Sequence, residues 1–203
     1  MGSSGIESGT TERLKQRVDR RLLRLANLLT LSRLLATPIV IWALLQTPVE
    51  PSYDWIALGL ICVLQMTDVI DGRLARKAQG FQALRANPFG EVLDPIADKL
   101  YINSAYITLM VVGRVPVWAG GLIVARDAGI LLGWSARFVF SHIRLLPNKL
   151  GKATDSAQAI LLVLVLLSPP AVLLEAAIYV VAGLTVASGA SYFHKALDAP
   201  REA

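Results

Sequence analysis

Four aspartates of the 203-residue chain form two pairs at helical spacing. Asp68 and Asp71 are three residues apart, and Asp94 and Asp98 are four residues apart. Residues at these spacings share one face of a helix, so each pair should present both carboxylates in one direction. Oxygen-only ligands select hard cations such as Mg²⁺, Mn²⁺ or Ca²⁺ rather than zinc. Two such ions would balance the four negative charges, and two-metal sites are suited to displacement at phosphorus.

Two glycines lie beside these pairs, Gly72 and Gly90. A glycine lets a ligand approach the backbone closely, whereas in mid-helix it otherwise costs ~1 kcal/mol relative to alanine. The alternative is that the four aspartates merely pair with nearby cations, namely Arg73, Arg76 and Lys99. Four acids on two predicted faces exceed what ion pairing requires, so a metal site is the favoured interpretation.

The composition predicts an integral membrane protein. Apolar residues make up 54% of the chain and charged residues 17%, against ~25% charged residues in ordinary globular proteins. The net charge of +5 could suit nucleic acid, but the basic residues flank apolar stretches, where they set membrane topology. No nucleic-acid partner is therefore expected. The single cysteine, Cys62, excludes a disulfide scaffold and is expected to be a small buried apolar residue.

Six stretches are long and apolar enough to span a bilayer, and Pro- and Gly-containing segments separate them. Because lipid forbids open sheet edges, the predicted fold is an all-α bundle of six transmembrane helices. A short loop between the second and third spans would make them antiparallel neighbours, so the two aspartate pairs could meet. The predicted spans are 28–47, 54–78, 90–112, 115–138, 149–168 and 171–194.

The basic residues predict the orientation of the spans. With the N-terminus in the cytoplasm, sixteen Lys and Arg residues fall on the cytoplasmic side and Arg114 alone on the other. This asymmetry fits the positive-inside rule and predicts that the aspartate pairs lie at the cytoplasmic surface of the membrane. In a bacterium, this would be the inner membrane. The sixteen are Arg13, Lys15, Arg17, Arg20, Arg21, Arg24, Arg73, Arg76, Lys77, Arg85, Arg137, Arg144, Lys149, Lys152, Lys195 and Arg201.

The segment before the first span predicts an amphipathic helix on the membrane surface, after a flexible start. Its apolar residues recur at helical spacing with cations between them, although a solvated basic tail is the alternative. These apolar residues are Leu14, Val18, Leu22, Leu25 and Leu29. The expected division is therefore a flexible start and juxtamembrane helix at 1–26, a six-helix domain at 27–196 and a short tail at 197–203.

The acidic segments resemble the signature of the CDP-alcohol phosphatidyltransferase family. The matching pattern has eight fixed positions over 31 residues: Asp68-x2-Asp71-Gly72-x2-Ala75-Arg76, then Gly90-x3-Asp94-x3-Asp98. Residues 27–33, 125–127 and 151–158 are also similar to the family, so the resemblance covers residues 27 to about 195. Thirteen residues separate Arg76 from Gly90, more than is usual in the family, which predicts a longer loop around 83–88.

The resemblance implies a fold, a reaction and a set of site residues. The fold would be six helices around a polar cavity open to the cytoplasmic leaflet, commonly as a homodimer. The reaction would move a substituted phosphoryl group from a CDP-linked donor to an alcohol and release CMP. Two divalent cations, Mg²⁺ or Mn²⁺, would be held by Asp68, Asp71, Asp94 and Asp98, and Asp98 would also be the base. The donor would contact Asp68, Gly72, Ala75, Arg76 and Gly90, unless Arg76 is an ordinary membrane-flanking cation.

Two acceptors are the main candidates under this resemblance, phosphatidylglycerol and glycerol 3-phosphate, and others such as inositol phosphate or serine are less favoured. A free phosphate dianion should need several convergent cations, and we would expect them at positions 153 or 154 and near Trp134. The chain instead has Ala153 and Thr154 after Lys152. Cardiolipin synthesis from CDP-diacylglycerol and phosphatidylglycerol is therefore the favoured function, with phosphatidylglycerophosphate synthesis as the alternative. Arg126 and Lys152 are the candidate acceptor-binding residues, although an internal ion pair would explain Arg126 equally well.

Two further classes of protein bind cations through clustered aspartates. Membrane prenyltransferases are longer, and their acidic motifs lie further apart. A small cation transporter could use the four carboxylates, but it would not explain the neighbouring Gly72, Ala75 and Arg76.

Overall fold

The computed structural model describes residues 31–78, 88–141 and 149–197. Within these ranges, side chains are described for 31–67, 96–97, 99–133, 150–192 and 194. The predicted amphipathic helix before the first span and the predicted loop at 83–88 lie outside the described residues. The described part of the chain consists of six helices and contains no strand, as predicted. They are α1 (Leu31–Gln46), α2 (Ser52–Ala78), α3 (Pro88–Val111), α4 (Val117–Ser141), α5 (Lys149–Leu167) and α6 (Ala171–Leu197).

The turn between α3 and α4 shows why these helices end where they do. Gly113 adopts a φ of +80°, and its amide donates to Met110 O while the amide of Arg114 donates to Leu109 O. This Schellman pattern satisfies the last carbonyls of α3 and needs a residue that tolerates a left-handed conformation. Pro116 then precedes α4, where a missing amide proton costs nothing. The short turn makes α3 and α4 antiparallel.

An ion pair joins the start of α2 to this same turn. Arg114 Nη2 lies 2.8 Å from Asp54 Oδ2, and both side chains are largely buried. At the corresponding turn between α5 and α6, Ser168 has a φ of +47° before Pro169 and Pro170. Together, α3–α4 and α5–α6 form two helical hairpins whose turns are closed by local hydrogen bonds.

The helices pack through a continuous apolar core. Helix α5 packs against α2 and α6, α4 packs against α3 and α6, and α3 also reaches α5. Tyr101 and Tyr106 of α3 are the largest fully buried side chains. The remaining core comes from every other helix, including Leu44, Ile61, Ile123, Leu161, Leu162 and Val181. This packing arranges α3, α4, α5 and α6 around a common interior.

The outer surface is unusually apolar. Many large hydrophobic side chains are more than half exposed, among them Leu35, Trp55, Leu132, Val172 and Val180. Large apolar side chains exposed in such number fit contact with lipid. The prediction that Cys62 is buried is wrong, because its side chain lies on an exposed face of α2 beside Val63.

Two of the described helices are long and apolar enough to cross a bilayer by length and composition, at Leu150–Leu167 and Ala171–Tyr192. Apolar stretches of α1 and α2 are shorter, at Leu31–Gln46 and Ser52–Thr67. The all-helical fold of six helices is therefore confirmed, whereas six membrane crossings remain a prediction.

Candidate active site

Both acidic segments are helical, as their spacing predicts. Asp68 and Asp71 lie in α2, and Asp94 and Asp98 lie in α3. The remaining signature residues lie in the same two helices: Gly72, Ala75 and Arg76 in α2, and Gly90 in α3. The side chains of all these positions are outside the described set, so their meeting in one metal site stays a prediction. Among the side chains that are described, no group of three or more His, Cys, Asp or Glu residues could hold a metal ion.

A buried ionic cluster begins one residue after Asp98. It consists of Lys99 from α3, Arg126 and Asp127 from α4, and Asp155 from α5. We call these four residues the ionic cluster. It joins three helices at a point immediately adjacent to the predicted catalytic base.

Each carboxylate of the ionic cluster contacts both cations. Lys99 Nζ lies 2.7 Å from Asp155 Oδ1 and 3.0 Å from Asp127 Oδ2. Arg126 Nη1 lies 2.6 Å from Asp127 Oδ1 and 2.8 Å from Asp155 Oδ1. The Lys99–Asp127 contact is an ion pair without hydrogen-bond geometry, whereas the other three contacts are hydrogen bonds. Both cations are therefore shared between the same two acids.

The two positive and two negative charges cancel, which makes their burial tolerable. A buried ion costs several kcal/mol unless partners compensate its lost hydration. The side chain of Asp127 is 0% exposed and that of Arg126 is 4% exposed, and Arg126 Nη2 also donates to Ser188 Oγ of α6 at 2.7 Å. Asp155 differs from the rest, because its side chain is 42% exposed. Asp155 is thus the solvent-facing corner of a cluster that is otherwise enclosed.

Tyr192 covers Arg126 from α6. The guanidinium carbon of Arg126 lies 5.9 Å from the centroid of the Tyr192 ring, within the range of a cation–π interaction. The ring can reach this position because Gly151, in the first turns of α5, has no side chain. A Cβ at Gly151 would lie 2.6 Å from the Tyr192 hydroxyl and 3.0 Å from a ring carbon. The absence of a side chain at Gly151 therefore leaves space for the Tyr192 ring.

Gly151→Ala is expected to push the Tyr192 ring away from Arg126. Overpacking of this kind typically costs ~1–3 kcal/mol, so Tm and turnover should both fall. Gly120→Ala is the matched control, because its added methyl would meet the flexible thioether of Met110, which can move aside. Thermal unfolding in detergent would measure both variants. An equal or larger loss of Tm in Gly120→Ala would contradict this assignment.

Thr154 and Gln158, two polar residues of α5 that neighbour Asp155, point into the bundle. The Thr154 hydroxyl lies 2.9 Å from Leu150 O and 3.2 Å from Leu184 O, facing α6. Gln158 is fully buried, and neither polar atom of its amide side chain has a hydrogen-bond partner among the described residues. Its backbone carbonyl accepts a 2.7 Å hydrogen bond from the Tyr106 hydroxyl. Thr154 is thus used in helix packing and does not face solvent.

The two candidate acceptor residues have different environments. Arg126 is buried and ion-paired, so the internal pair that the sequence left open is present. Lys152 is exposed and forms no ion pair with any residue that the structure describes. Lys99, which could have neutralised the predicted metal ligands, pairs with Asp127 and Asp155 outside that set. The roles of Lys99 and Asp155 beside Arg126 were not predicted from the sequence.

The sequence profile of CDP-alcohol phosphatidyltransferases matches residues 23–187, which include the two acidic segments and the ionic cluster. This chain belongs to the CDP-alcohol phosphatidyltransferase family. The resemblance seen in the aspartate signature is therefore confirmed. Members of this family are membrane-embedded transferases that generally use a divalent metal ion.

Relatives within the CDP-alcohol phosphatidyltransferase family carry two different names. A probable cardiolipin synthase (CMP-forming) of Drosophila melanogaster is 32% identical over 68% of this chain and 41% of its own length. A probable phosphatidylglycerophosphate synthase of Mycobacterium tuberculosis is 34% identical over 87% of this chain and 83% of its own length. A cardiolipin synthase (CMP-forming) of Streptomyces coelicolor is 33% identical over 55% of this chain and 50% of its own length. The chain thus spans about half or less of the two cardiolipin synthases and most of the mycobacterial relative.

Proposed function

We propose that this protein is a multi-pass membrane enzyme that transfers the phosphatidyl group of CDP-diacylglycerol to phosphatidylglycerol, giving cardiolipin and CMP. The observation that carries the choice of acceptor is the charge balance of the ionic cluster. Its two cations are already neutralised by two aspartates, and Lys152 is the one exposed lysine in the described first turn of α5. A soluble phosphate dianion has no acyl anchor and would need more uncompensated cations than Lys152, the one that the described side chains of this region supply.

The membrane arrangement follows from the apolar outer faces and from the basic residues. All six helices would cross the bilayer, with the N-terminus and the α2–α3 and α4–α5 connections in the cytoplasm. The pairing of Arg114 with Asp54 supports this orientation, because it neutralises the one basic residue assigned to the opposite side. The active site would then open to the cytoplasmic leaflet, where both lipid substrates lie. A homodimer is part of this proposal.

The donor would be bound by residues of α2 and α3. Asp68, Asp71, Asp94 and Asp98 form an oxygen-only ligand set that fits two divalent cations, Mg²⁺ or Mn²⁺. When bound, such ions supply positive charge to the diphosphate and to the leaving phosphate of CMP. Gly72, Ala75 and Gly90 would leave room for the cytidine, and Arg76 would pair with a phosphate.

The chemical step would be a single displacement at the phosphorus that carries diacylglycerol. Asp98 would accept the proton from the attacking hydroxyl of the acceptor, and that oxygen would form a new bond to phosphorus. The bond from this phosphorus to the bridging oxygen would break, and CMP would leave with the bridging oxygen. The ionic cluster would fix Lys99, and therefore the neighbouring base, against α4 and α5.

Phosphatidylglycerophosphate synthesis is the second candidate. The relative that carries this name in Mycobacterium tuberculosis covers 87% of the chain, more than either cardiolipin synthase described above. In that reaction the same aspartates would serve glycerol 3-phosphate as the acceptor. A cation transporter has no support from the family, whose members are transferases.

We expect the purified protein to make cardiolipin from CDP-diacylglycerol and phosphatidylglycerol, and little product from glycerol 3-phosphate. Each acceptor is offered separately, and the products are identified by thin-layer chromatography and mass spectrometry.

A chelator should abolish turnover and added Mg²⁺ or Mn²⁺ should restore it, because the ligand set contains only oxygen. Ready synthesis of phosphatidylglycerophosphate without cardiolipin would overturn the acceptor assignment. Full turnover in excess chelator would overturn the two-metal site.

A further inference from the structure

The two aspartates of the ionic cluster carry the same charge but differ in how firmly they are held. Asp127 is completely enclosed and uses both carboxylate oxygens on the two cations. Asp155 is 42% exposed and contacts both cations through one oxygen, Oδ1. Moving Asp127 into solvent would require opening the bundle, whereas Asp155 already borders solvent. Asp155 is therefore the carboxylate that another anion could replace.

The cations of the ionic cluster can bind more than they bind in this conformation. Arg126 Nε is buried and has no hydrogen-bond partner among the described residues, although Nη1 and Nη2 are both used. The ammonium of Lys99 carries three donors and the guanidinium of Arg126 five. A phosphodiester offers two non-bridging oxygens, which one Arg and one Lys can contact together. The donor set thus suits a phosphate group better than a single carboxylate oxygen.

Charge balance favours a monoanion in this place. The ionic cluster contains two positive and two negative charges, so a phosphodiester that replaces the Asp155 carboxylate leaves the net charge at zero. A phosphate monoester with two negative charges would leave one excess negative charge beside the enclosed Asp127 carboxylate. Uncompensated buried charge is strongly unfavourable. The exchange therefore selects a phosphodiester over a soluble phosphate ester.

The position of the ionic cluster relative to the predicted base also fits an acceptor lipid. Lys99 directly follows Asp98 on α3, and one helical residue advances ~1.5 Å along the axis. In phosphatidylglycerol, the three carbons of the glycerol headgroup separate the phosphodiester from the terminal hydroxyl. The backbone positions of Lys99 and Asp98 are therefore close enough along α3 for one lipid headgroup to span the distance between them.

We infer that Lys99 and Arg126 form the subsite for the phosphodiester of the acceptor lipid, and that the Asp155 carboxylate occupies this subsite until the lipid replaces it. This inference rests on the proposed function, since it assigns the acceptor of the same reaction. Asp127 remains in place as the permanent counter-ion of both cations. The Tyr192 ring and Ser188 hold the Arg126 guanidinium during the exchange.

The test measures lipid binding without turnover. The full-length protein in a nonionic detergent is titrated with phosphatidylglycerol, diacylglycerol or glycerol 3-phosphate, with no CDP-linked donor, and Tm is recorded. In the wild type, phosphatidylglycerol should raise Tm, and the other two should raise it less. Asp155→Asn should reach its half-maximal shift at about tenfold less phosphatidylglycerol, because the competing carboxylate is gone. Lys99→Gln should require about tenfold more.

Asp54→Asn is the matched control, because it breaks an arginine ion pair at the other end of the bundle. It should lower Tm without changing the phosphatidylglycerol concentration at half-maximal shift. Unchanged or weaker phosphatidylglycerol binding by Asp155→Asn overturns the exchange, and so does unchanged binding by Lys99→Gln. If glycerol 3-phosphate raises Tm more than phosphatidylglycerol does, the phosphate group bound at this subsite does not come from a lipid. Because no product is formed, these outcomes are independent of whether the product assay supports cardiolipin synthesis.

Discussion

Replacing Asp98 with asparagine is expected to lower turnover by about 10²–10⁴-fold while changing the affinity for CDP-diacylglycerol only a few-fold. The reason is that a general base acts mainly in the chemical step, so its loss reduces kcat more than binding. Asparagine keeps the size of the side chain but cannot accept the proton of the acceptor hydroxyl. Steady-state kinetics with varied donor concentrations would measure both quantities.

Asp94→Asn provides the comparison for this prediction. Asp94 is assigned only as a metal ligand, so its replacement should weaken metal and donor binding together with turnover. Asp68→Asn should behave like Asp94→Asn. Near-normal turnover in Asp98→Asn would show that the base is another group. Equal losses of donor affinity in Asp94→Asn and Asp98→Asn would show that Asp98 is a metal ligand alone.

Asp127→Asn is expected to cause the largest loss of stability, about 3–5 kcal/mol. Its carboxylate is 0% exposed and neutralises both Lys99 and Arg126, so the variant leaves an uncompensated positive charge inside the bundle. The effect is measured as a fall in Tm and as a loss of folded protein during size-exclusion chromatography in detergent.

Asp155→Asn is the matched comparison for stability, since it removes the same charge from the same ionic cluster. Water can reach the Asp155 position, so the fall in Tm should be clearly smaller than for Asp127→Asn. If the two variants are equally destabilised, the difference in burial does not determine how firmly each carboxylate is held.

The positions of the helices were predictable from the sequence, because the length of each apolar stretch and the helix breakers between stretches are local features. Within the described residues, the predicted spans agree with the observed helices to within a few residues, including the turns at Gly113 and at Pro169-Pro170. The helical spacing of the aspartate pairs is likewise a local property. The exposure of Cys62 was not predictable, because a single small residue gives no signal for which face of a helix meets the core.

The ionic cluster was missed for a different physical reason. Lys99 and Asp155 are separated by 56 positions, and nothing in local spacing specifies which charged side chains meet across three helices. A signal was nevertheless present, because charged residues within apolar spans seldom lack partners. Lys99, Arg126, Asp127 and Asp155 are two cations and two anions within or beside the predicted spans. Their charges balance, but Arg33, Asp68 and Glu175 also lie in the predicted spans, so charge balance alone does not select these four.

The pairing of Arg114 with Asp54 has a consequence for how the chain enters the membrane. In the proposed orientation, Arg114 is the one basic residue that must be translocated, and a free arginine on that side would oppose the positive-inside rule. Asp54 precedes Arg114 by sixty positions and is therefore synthesised first, so its carboxylate would be present when the α3–α4 hairpin inserts. Pairing at 2.8 Å then removes the net charge of the translocated turn. In that orientation, membrane insertion of α3 and α4 would be coupled to their assembly with α2.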